Sequence, residues 1–546
     1  MAHRHSTPER CHHGKPTQPA PRRGVVMHAK PAAEPLAVDT ATHPIHARHV
    51  DADGHGPAAT HADASAQHAD AHHGGTDTDN GPRKSWVVLA LALAAQILVV
   101  LDISVVNTAL PTIGRDLGLD GSDMQWVVTA YLMMSGGGLL FGGRIADLLS
   151  RKWVFLTGLA VFTIASIASG FAGSATELVT ARAAQGLSAA LMTPAALSII
   201  MTTYSGAQRR TGLALWGAVG SLGVAAGVLL GGALTTWAGW QTIFWINAPI
   251  GAVALLAGLK VIPAVRTPRV SLNQLDLAGA ATVIGSLVAL VYALGATEQH
   301  GWLSPRVIVA AAASTLLAVA FIRMERRAAN PLVPPHTWKV KSLVSGTTVM
   351  LGVTGILVGA VFLTSIFVQT VMGYSAIRAG LAFVPFALAI TVGTVLAKHA
   401  LAHGAPRTIA AIGLLLVAGG AALLAQASTG ASFATDVLPA MAVIGLGVGI
   451  TFVPVSVTAM GGIPPQHAGM ASGFLMTGHE VGAALGVAVI SAVASTAGSL
   501  SSVTGVVDGF ARGFLAAAGI AAVMAVFAYL RMPAGRAEGT AMHMHH

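Results

Sequence analysis

From Trp86 to Arg531 the chain is a near-continuous succession of apolar runs, and this feature decides most of what it can fold into. Each run is near the roughly 20 residues that a helix needs to cross a bilayer. We count fourteen: 86–109, 124–142, 153–171, 177–203, 211–236, 241–262, 275–295, 305–323, 343–371, 379–398, 407–427, 435–460, 467–497 and 509–531. Only 10% of the residues are charged, where a soluble domain has about 25%. The chain is therefore expected to be an all-α integral membrane protein. The 63 glycines suit helices packed at close range. No ten-residue segments of strict alternation recur, which sets a barrel aside.

Loop charge fixes an expected orientation. With the N-terminal tail inside, the inner loops and C-terminal tail hold seventeen basic residues: Arg144, Arg151, Lys152, Arg209, Arg210, Lys260, Arg266, Arg269, Arg323, Arg326, Arg327, Lys339, Lys341, Lys398, Arg407, Arg531 and Arg536. The outer loops hold four: Arg115, Arg306, Arg378 and Arg512. This bias predicts an even number of spans and both termini in the cytoplasm. The net charge of +9 is thus spread over alternate loops rather than gathered on a nucleic-acid-binding patch.

Residues 1–85 are polar and rich in His, Ala, Asp, Gly and Pro, and are expected to be a disordered cytoplasmic tail. The thirteen histidines here, with His543, His545 and His546 at the other end, raise metal handling as a minor possibility. Met27 is a possible alternative start. The single cysteine, Cys11, lies in this tail, so disulfides, zinc thiolate sites and thiol catalysis in the body are excluded. The run at Trp86 follows a long polar stretch and reads as a retained first helix, not a cleaved signal.

GGRIADLLSRK after the second run has a faded counterpart, GTVLAKHALAHGAPR, after the tenth. Repeated halves mark secondary transporters. Expected domains are therefore a six-helix bundle over 86–262, an insert with two spans over 263–340, a second six-helix bundle over 341–531, and a cytoplasmic tail over 532–546.

Few ionisable residues fall inside the runs, and a charge at membrane depth is costly and usually functional. Asp102 lies sixteen residues past Trp86, about 24 Å along the first helix. Arg182, on the fourth, falls at a similar height and is expected to face it. Burial raises a carboxylate's proton affinity and a neighbouring Arg lowers it, so the pair suits a proton site. A static packing pair is the plainer reading. Gln185 shares the Arg182 face, where it contacts substrate or satisfies Arg182. Glu480, the second intramembrane acid, adjoins His479. Adjacent helix positions point about 100° apart, so the two are not expected to serve one point. Glu480 is the better proton or cation binder, and no metal-ligand spacing stands beside His479.

Asp147, Arg151 and Lys152 follow Gly142 and Gly143 at the inner surface, as a solvated turn or as a charged latch toward the helix that begins after Pro464 and Pro465. Gly223, Gly227 and Gly231 recur every fourth residue, with Gly220 close by, and form a stripe for close helix contact. Trp126, Tyr131, Met133, Met134, Trp216, Trp245 and Asn247 line a greasy pocket or pack as core. No P-loop, HExxH or GxSxG pattern appears, so nothing supports an ATPase, a hydrolase or any other enzyme.

These stretches together resemble the major facilitator superfamily, specifically the fourteen-span drug:proton antiporters of the EmrB/QacA type. LDISVVNTALP resembles the first-span motif, with Asp102 and Asn107 at its acid and asparagine. GRIADLLSRK is similar to the loop motif, with Gly143, Asp147, Arg151 and Lys152 matching. LVTARAAQGLSAA resembles the fourth-span motif through Arg182, Gln185 and Gly186. The fifth-span stripe resembles the antiporter motif, and WQTIFWINAPIG the sixth-span segment. Leu148 stands where a basic residue is usual, Ser150 where Gly is usual, and Gly227-Val228 where Gly-Pro is frequent.

The resemblance implies a major facilitator fold of two six-helix bundles with two helices inserted between them. It implies a bacterial plasma-membrane exporter of hydrophobic or cationic compounds, driven by the proton gradient and needing no cofactor. By the resemblance Arg182 assists proton transfer at Asp102 and the loop motif gates the inner side; from its own buried position Glu480 is expected to couple protons with them, and Asn107, Tyr131, Gln185, Trp216 and Asn247 to line the substrate cavity. The expected partners are small molecules, protons and lipid, with a monomeric chain. The alternatives are a dedicated exporter of one metabolite or antibiotic, and a metal-handling or sensor protein using the His-rich tail.

Overall fold

The architecture is taken from a computed structural model that describes residues 86–263, 275–328, 331–335, 337–461, 463, 468–498 and 503–534. The His-rich tail with Cys11 and Met27, the loop residues Arg266 and Arg269, Pro464, Pro465, Arg536 and the terminal histidines lie outside the described residues. Of Asp147 only the backbone, in the last turn of its helix, is described.

The described residues form helices joined by short turns. The first half holds α1 (Trp86–Leu117), α2 (Gly121–Leu148), α3 (Arg151–Gly170), α4 (Ala175–Thr203), α5 (Gly206–Ala238), α6 (Thr242–Trp245) and α7 (Asn247–Val261). A pair follows, α8 (Leu277–His300) and α9 (Pro305–Glu325). The second half holds α10 (Lys341–Thr370), α11 (Ala376–Ala382), α12 (Val384–Leu401), α13 (Pro406–Leu424), α14 (Leu438–Met460), α15 (Ala468–Ala494) and α16 (Val503–Arg531). Among the described residues, thirteen of the apolar runs are long and apolar enough to cross a membrane. The remaining run is the 33-residue α5, with an apolar last part at Ala226–Ala238. Helices are the expected answer, because each satisfies its backbone hydrogen bonds internally where no water is available.

Two runs expected to be continuous are broken. The sixth splits into α6 and α7 beside Pro249, and the tenth into α11 and α12 beside Pro385. A proline lacks the N–H and its ring crowds the carbonyl four residues earlier, so the chain steps at that point. The first helix also overshoots its expected end at residue 109, running through Pro111 to Leu117. Asp102 stands at the midpoint of the longer helix.

Side-chain caps end the turns. Asp120, Ser174, Asp276, Ser304 and Ser375 each accept a hydrogen bond from the backbone N–H three residues on. Such caps satisfy donors that the helix leaves open. Gly239, after α5, has φ +86°, a conformation that other residues resist. Tyr204, just past α4, accepts from Leu89 N at 2.8 Å and stacks on Trp86. It ties the start of α1 to the end of α4, and burial pushes its phenol above the usual value.

The pairings of the first half recur eight spans later. In the first bundle α1 packs on α5, α2 on α4, α3 on α4 and α3 on α7. In the second, α10 packs on α15, α12 on α14, α13 on α14 and α13 on α16. The two bundles meet where α2 lies on α15, α5 on α11, and α1 on α10. Between α8 and α9, the Ser286 and Ser314 hydroxyls each donate to the other residue's carbonyl at 2.9 Å. α8 then packs against both α2 and α15.

Glycine sets the closest of these approaches. A methyl added at Gly223 would meet Val100 Cγ1 at 2.8 Å, one at Gly227 would meet Ser104 Oγ at 2.6 Å, and one at Gly231 would meet Thr108 Oγ1 at 2.5 Å. The α5 stripe therefore lies along α1 in step, four residues at a time. At Gly220 the nearest atom is Gln96 Nε2 at 3.8 Å, an ordinary contact, so that residue stands outside the tight part. The second half repeats the device. Methyls at Gly478, Gly482 and Gly486 of α15 would collide with Thr347, Leu351 and Gly355 of α10.

Candidate functional site

The site is built from the middle of α1 outward. Asp102 is fully buried and pairs with Arg182 Nη1 from α4. Its Oδ1 accepts from Gln185 Nε2 at 2.9 Å and from Asn247 Nδ2, at the start of α7, at 3.3 Å. Gln185 is held at both ends of its amide: Nε2 also donates to Ser166 Oγ at 2.7 Å, and Oε1 accepts from Arg182 Nη1 at 2.9 Å and Ser169 Oγ at 3.2 Å. Asn247 Nδ2 reaches Ser166 Oγ at 3.3 Å. Arg182 donates through Nε to the Val127 carbonyl of α2 at 3.1 Å, and its guanidinium lies 4.5 Å from the centre of the Tyr131 ring. Four helices of one bundle, α1, α3, α4 and α7, thus bring six side chains to one point, and α2 covers it.

Every group that touches the Asp102 carboxylate is a donor. This shell fits the ionised form, which only accepts. Two donors lie on Oδ1 and one, Arg182 Nη1, on Oδ2, so an added proton would go to Oδ2 and weaken the pairing with Arg182. Protonation and local rearrangement are linked by geometry.

Glu480 occupies a different setting. It lies on the face of α15 opposite Gly478 and Gly482, two positions or about 200° from each. There it meets α2: a methyl at Gly136 would sit 2.7 Å from Glu480 Cβ. Glu480 is 8% exposed, and its Oε2 has no hydrogen-bond partner. The expectation that His479 points elsewhere needs correction, because His479 Nδ1 is 3.6 Å from Glu480 Oε1. Cβ directions diverge by a wheel position, but these side chains are long enough to lean back together. Thr347 Oγ1 on α10 and Thr477 Oγ1 on α15 are also buried and unpartnered. The Asp102 site is saturated with hydrogen bonds and the Glu480 region is not.

The remaining candidates are dispersed. Gln185, Asn247 and Tyr131, read as cavity-lining, are 0–1% exposed and belong to the Asp102 network in this state. Asn107 donates to its own helix at Ile103 O (3.1 Å), and its Oδ1 has no partner. Its backbone carbonyl accepts from Ser365 Oγ of α10 at 2.6 Å, and the next carbonyl, of Thr108, accepts from Gln369 Nε2 at 3.0 Å. These bonds join the bundles near the α1–α2 turn. Trp216 of α5 is half-buried and packs on the core. Arg151 and Lys152 open α3, where Lys152 Nζ donates to Leu259 O at 2.7 Å, within the first bundle. A cation there suits the carbonyl end of α7. At Gly143 an added methyl meets only Pro194 Cβ at 3.9 Å, and the tight approach to α4 falls on Gly142, against the Ala190 carbonyl.

Sequence reasoning missed Ser166, Ser169, Ser365 and Gln369. The first two stand one turn apart on one face of α3, as do the last two on α10, and that spacing is the available signal. Among the described residues, no group of three or more His, Cys, Asp or Glu is placed to hold a metal ion.

Comparison with known proteins places the chain in a family. The chain is 39% identical over 414 residues to the puromycin resistance protein of Streptomyces alboniger, covering 75% of this chain and 81% of that protein. It is 36% identical over 422 residues to the cephamycin export protein of Amycolatopsis lactamdurans, covering 76% and 87%. A crystal structure of a bacterial homolog to the human lysosomal transporter Spinster shares the fold, with a TM-score of 0.57, 17% identity, and coverage of 83% of this chain and 97% of that one. The model of the Major Facilitator Superfamily matches residues 92–487, and the chain belongs to that superfamily of membrane transporters.

Proposed function

We propose that this transporter exports hydrophobic or cationic antibiotics and drugs across the bacterial plasma membrane in exchange for protons. The observation that carries the reading is the donor-only shell around Asp102. A carboxylate whose protonation weakens its pairing with Arg182, and so a link between α1 and α4, can convert proton binding into a change of shape. Asp102 and Glu480 take up protons from outside. Release follows inside, where the pumped compound enters. The membrane potential adds about 2.3 kcal/mol per charge per 100 mV toward proton entry. The loop-charge bias, seventeen basic residues against four, supports cytoplasmic termini and an α2–α3 turn on the inner face. Gly143, Asp147, Arg151 and Lys152 gate that face, while Asn107 and Trp216 border the substrate path. The protein works as a monomer, as a transporter and not an enzyme.

A second reading, export of a single antibiotic or endogenous metabolite, is favoured by relatives named for puromycin and cephamycin. A relative named as a multidrug resistance protein, 31% identical over 394 residues, favours the broader one. Proteoliposomes loaded with a panel of dyes and antibiotics separate the two. Transport driven by an imposed proton gradient, abolished by a protonophore and by Asp102→Asn, is the expected result. Gradient-independent transport, or full activity of Asp102→Asn, refutes the coupling.

A further inference from the structure

The antiport reading leaves two acids in separate places, Asp102 within one bundle and Glu480 on the seam between bundles. One helix, α2, touches both sites. Its Val127 carbonyl and Tyr131 ring face Arg182, while Gly136 receives Glu480. Gly186 of α4 brings the helices together here, because a methyl at 186 would collide with the Tyr131 carbonyl.

Tyr131 is completely buried, and its hydroxyl has no hydrogen-bond partner. A buried hydroxyl without a partner is costly and uncommon. The ring has an evident use beneath Arg182, but a phenylalanine would serve that purpose equally. The hydroxyl needs its own explanation. The charges that act on it are Asp102 of α1, Arg182 of α4 and Glu480 of α15. His479 stands beside Glu480. Among the groups of α8, Glu298 lies far along α2, against Gly121. Asp102 already has three donors, whereas Glu480 Oε2 has none. The Thr347 and Thr477 hydroxyls are unpartnered as well, but of the orphan donors only Tyr131 also touches the Arg182 of the Asp102 site, and its helix packs on that of Glu480.

We propose that the Tyr131 hydroxyl is the donor held for the Glu480 carboxylate, which it meets when α15 shifts along α2 during the transport cycle. The inference rests on the antiport reading. The bond favours ionised Glu480, so its formation helps expel the proton. Tyr131 is then a positioning residue that ties the proton affinity of Glu480 to the movement of the bundles. Its ring touches Arg182, so the same residue senses the state of Asp102.

The test is drug-induced proton release from purified protein in detergent, followed with a pH dye across a range of pH. Tyr131→Phe keeps the ring and removes one oxygen. Its release midpoint is expected to rise by about one pH unit, a tenfold change in proton affinity. Incorporation of 3-fluorotyrosine at 131 gives a stronger donor and is expected to move the midpoint down, which also guards against a folding defect in the first variant. Both shifts should vanish in a Glu480→Gln background. An unchanged midpoint in both variants, or shifts that persist in Glu480→Gln, would overturn the assignment. If the Tyr131 variants match wild type while Asp102→Asn is inactive, only this inference fails. If Asp102→Asn also matches wild type, the antiport reading fails with it.

Discussion

The contact between Gly136 and Glu480 allows the closure of the bundle seam to be tested directly. In Gly136→Ala the new methyl would sit 2.7 Å from Glu480 Cβ, 3.0 Å from Val481 N and 3.2 Å from the Glu480 carbonyl carbon. Carbon atoms in contact prefer about 3.5–4.0 Å. The methyl meets main chain as well as side chain, so a rotamer change cannot relieve it. α15 must instead withdraw by about 1 Å. Overpacking of this kind costs about 1–3 kcal/mol. At 1.4 kcal/mol per tenfold, the closed-to-open ratio of the seam falls about 5- to 150-fold. Its closure is readable by cross-linking. The lone native cysteine, Cys11, is removed, and cysteines are placed at Leu140 and Gly473. An added side chain at 473 comes within 3.7 Å of the Leu140 side chain. A short bifunctional thiol reagent should join them quickly in the parent and more slowly in Gly136→Ala, in step with the fall in the closed fraction, with drug transport falling in parallel. Equal cross-linking rates would refute the reasoning, since a seam indifferent to a buried methyl is not packed as described.

Asp102→Asn should lower the melting temperature markedly, because a buried Arg182 left unpaired costs about 3–5 kcal/mol and the new amide N–H₂ faces only donors; an unshifted melting curve refutes this. Gly227→Ala should destabilise by about 1–3 kcal/mol, because its methyl would meet Ser104 Oγ at 2.6 Å, while Gly220→Ala, with 3.8 Å to spare, should melt like the parent. Equal effects at 220 and 227 would mean that α5 does not follow α1 in the described register. Ser314→Ala removes two hydrogen bonds of the α8–α9 pair and should cost about 1–3 kcal/mol. Ser286→Ala on top of it removes the remaining bond, from the Ser286 hydroxyl to the Ser314 carbonyl, and should cost about a further 0.5–1.5 kcal/mol, which a double-mutant melting series checks.

The spans were legible because hydrocarbon leaves a chain few options, and length and apolarity report the outcome directly. The Asp102–Arg182 pair was legible for a related reason: two opposite charges at similar depth have few other partners. What they gathered around them was not. Serine is common in membrane helices and often bonds its own preceding turn, as Ser169 Oγ does to Ala165 O at 3.0 Å. Nothing in the string distinguishes that habit from its second bond, to Gln185. The α15 glycines were in plain sight, at the same spacing as those of α5, but the acid among them drew the attention. Seen together, the two stripes state the internal repeat more clearly than the faded loop motif does. The relation of His479 to Glu480 was misjudged because a helical wheel records where a side chain leaves the backbone and not where its end arrives.

The placement of α8 has a mechanical consequence. It rests on α2 from one bundle and on α15 from the other, beside the line along which they meet. A rod lying against two plates cannot remain fixed to both when one tilts. Any rocking of the bundles must either shear α8 over one neighbour or carry it along as a roller. At Gly137 of α2 an added methyl would press on Ile284 at 2.9 Å, so the bearing surface on that side is tight. If the bundles rock, the α8–α9 pair must move with one of them, and changes on its outer surface should then alter the rate of transport without altering what is transported.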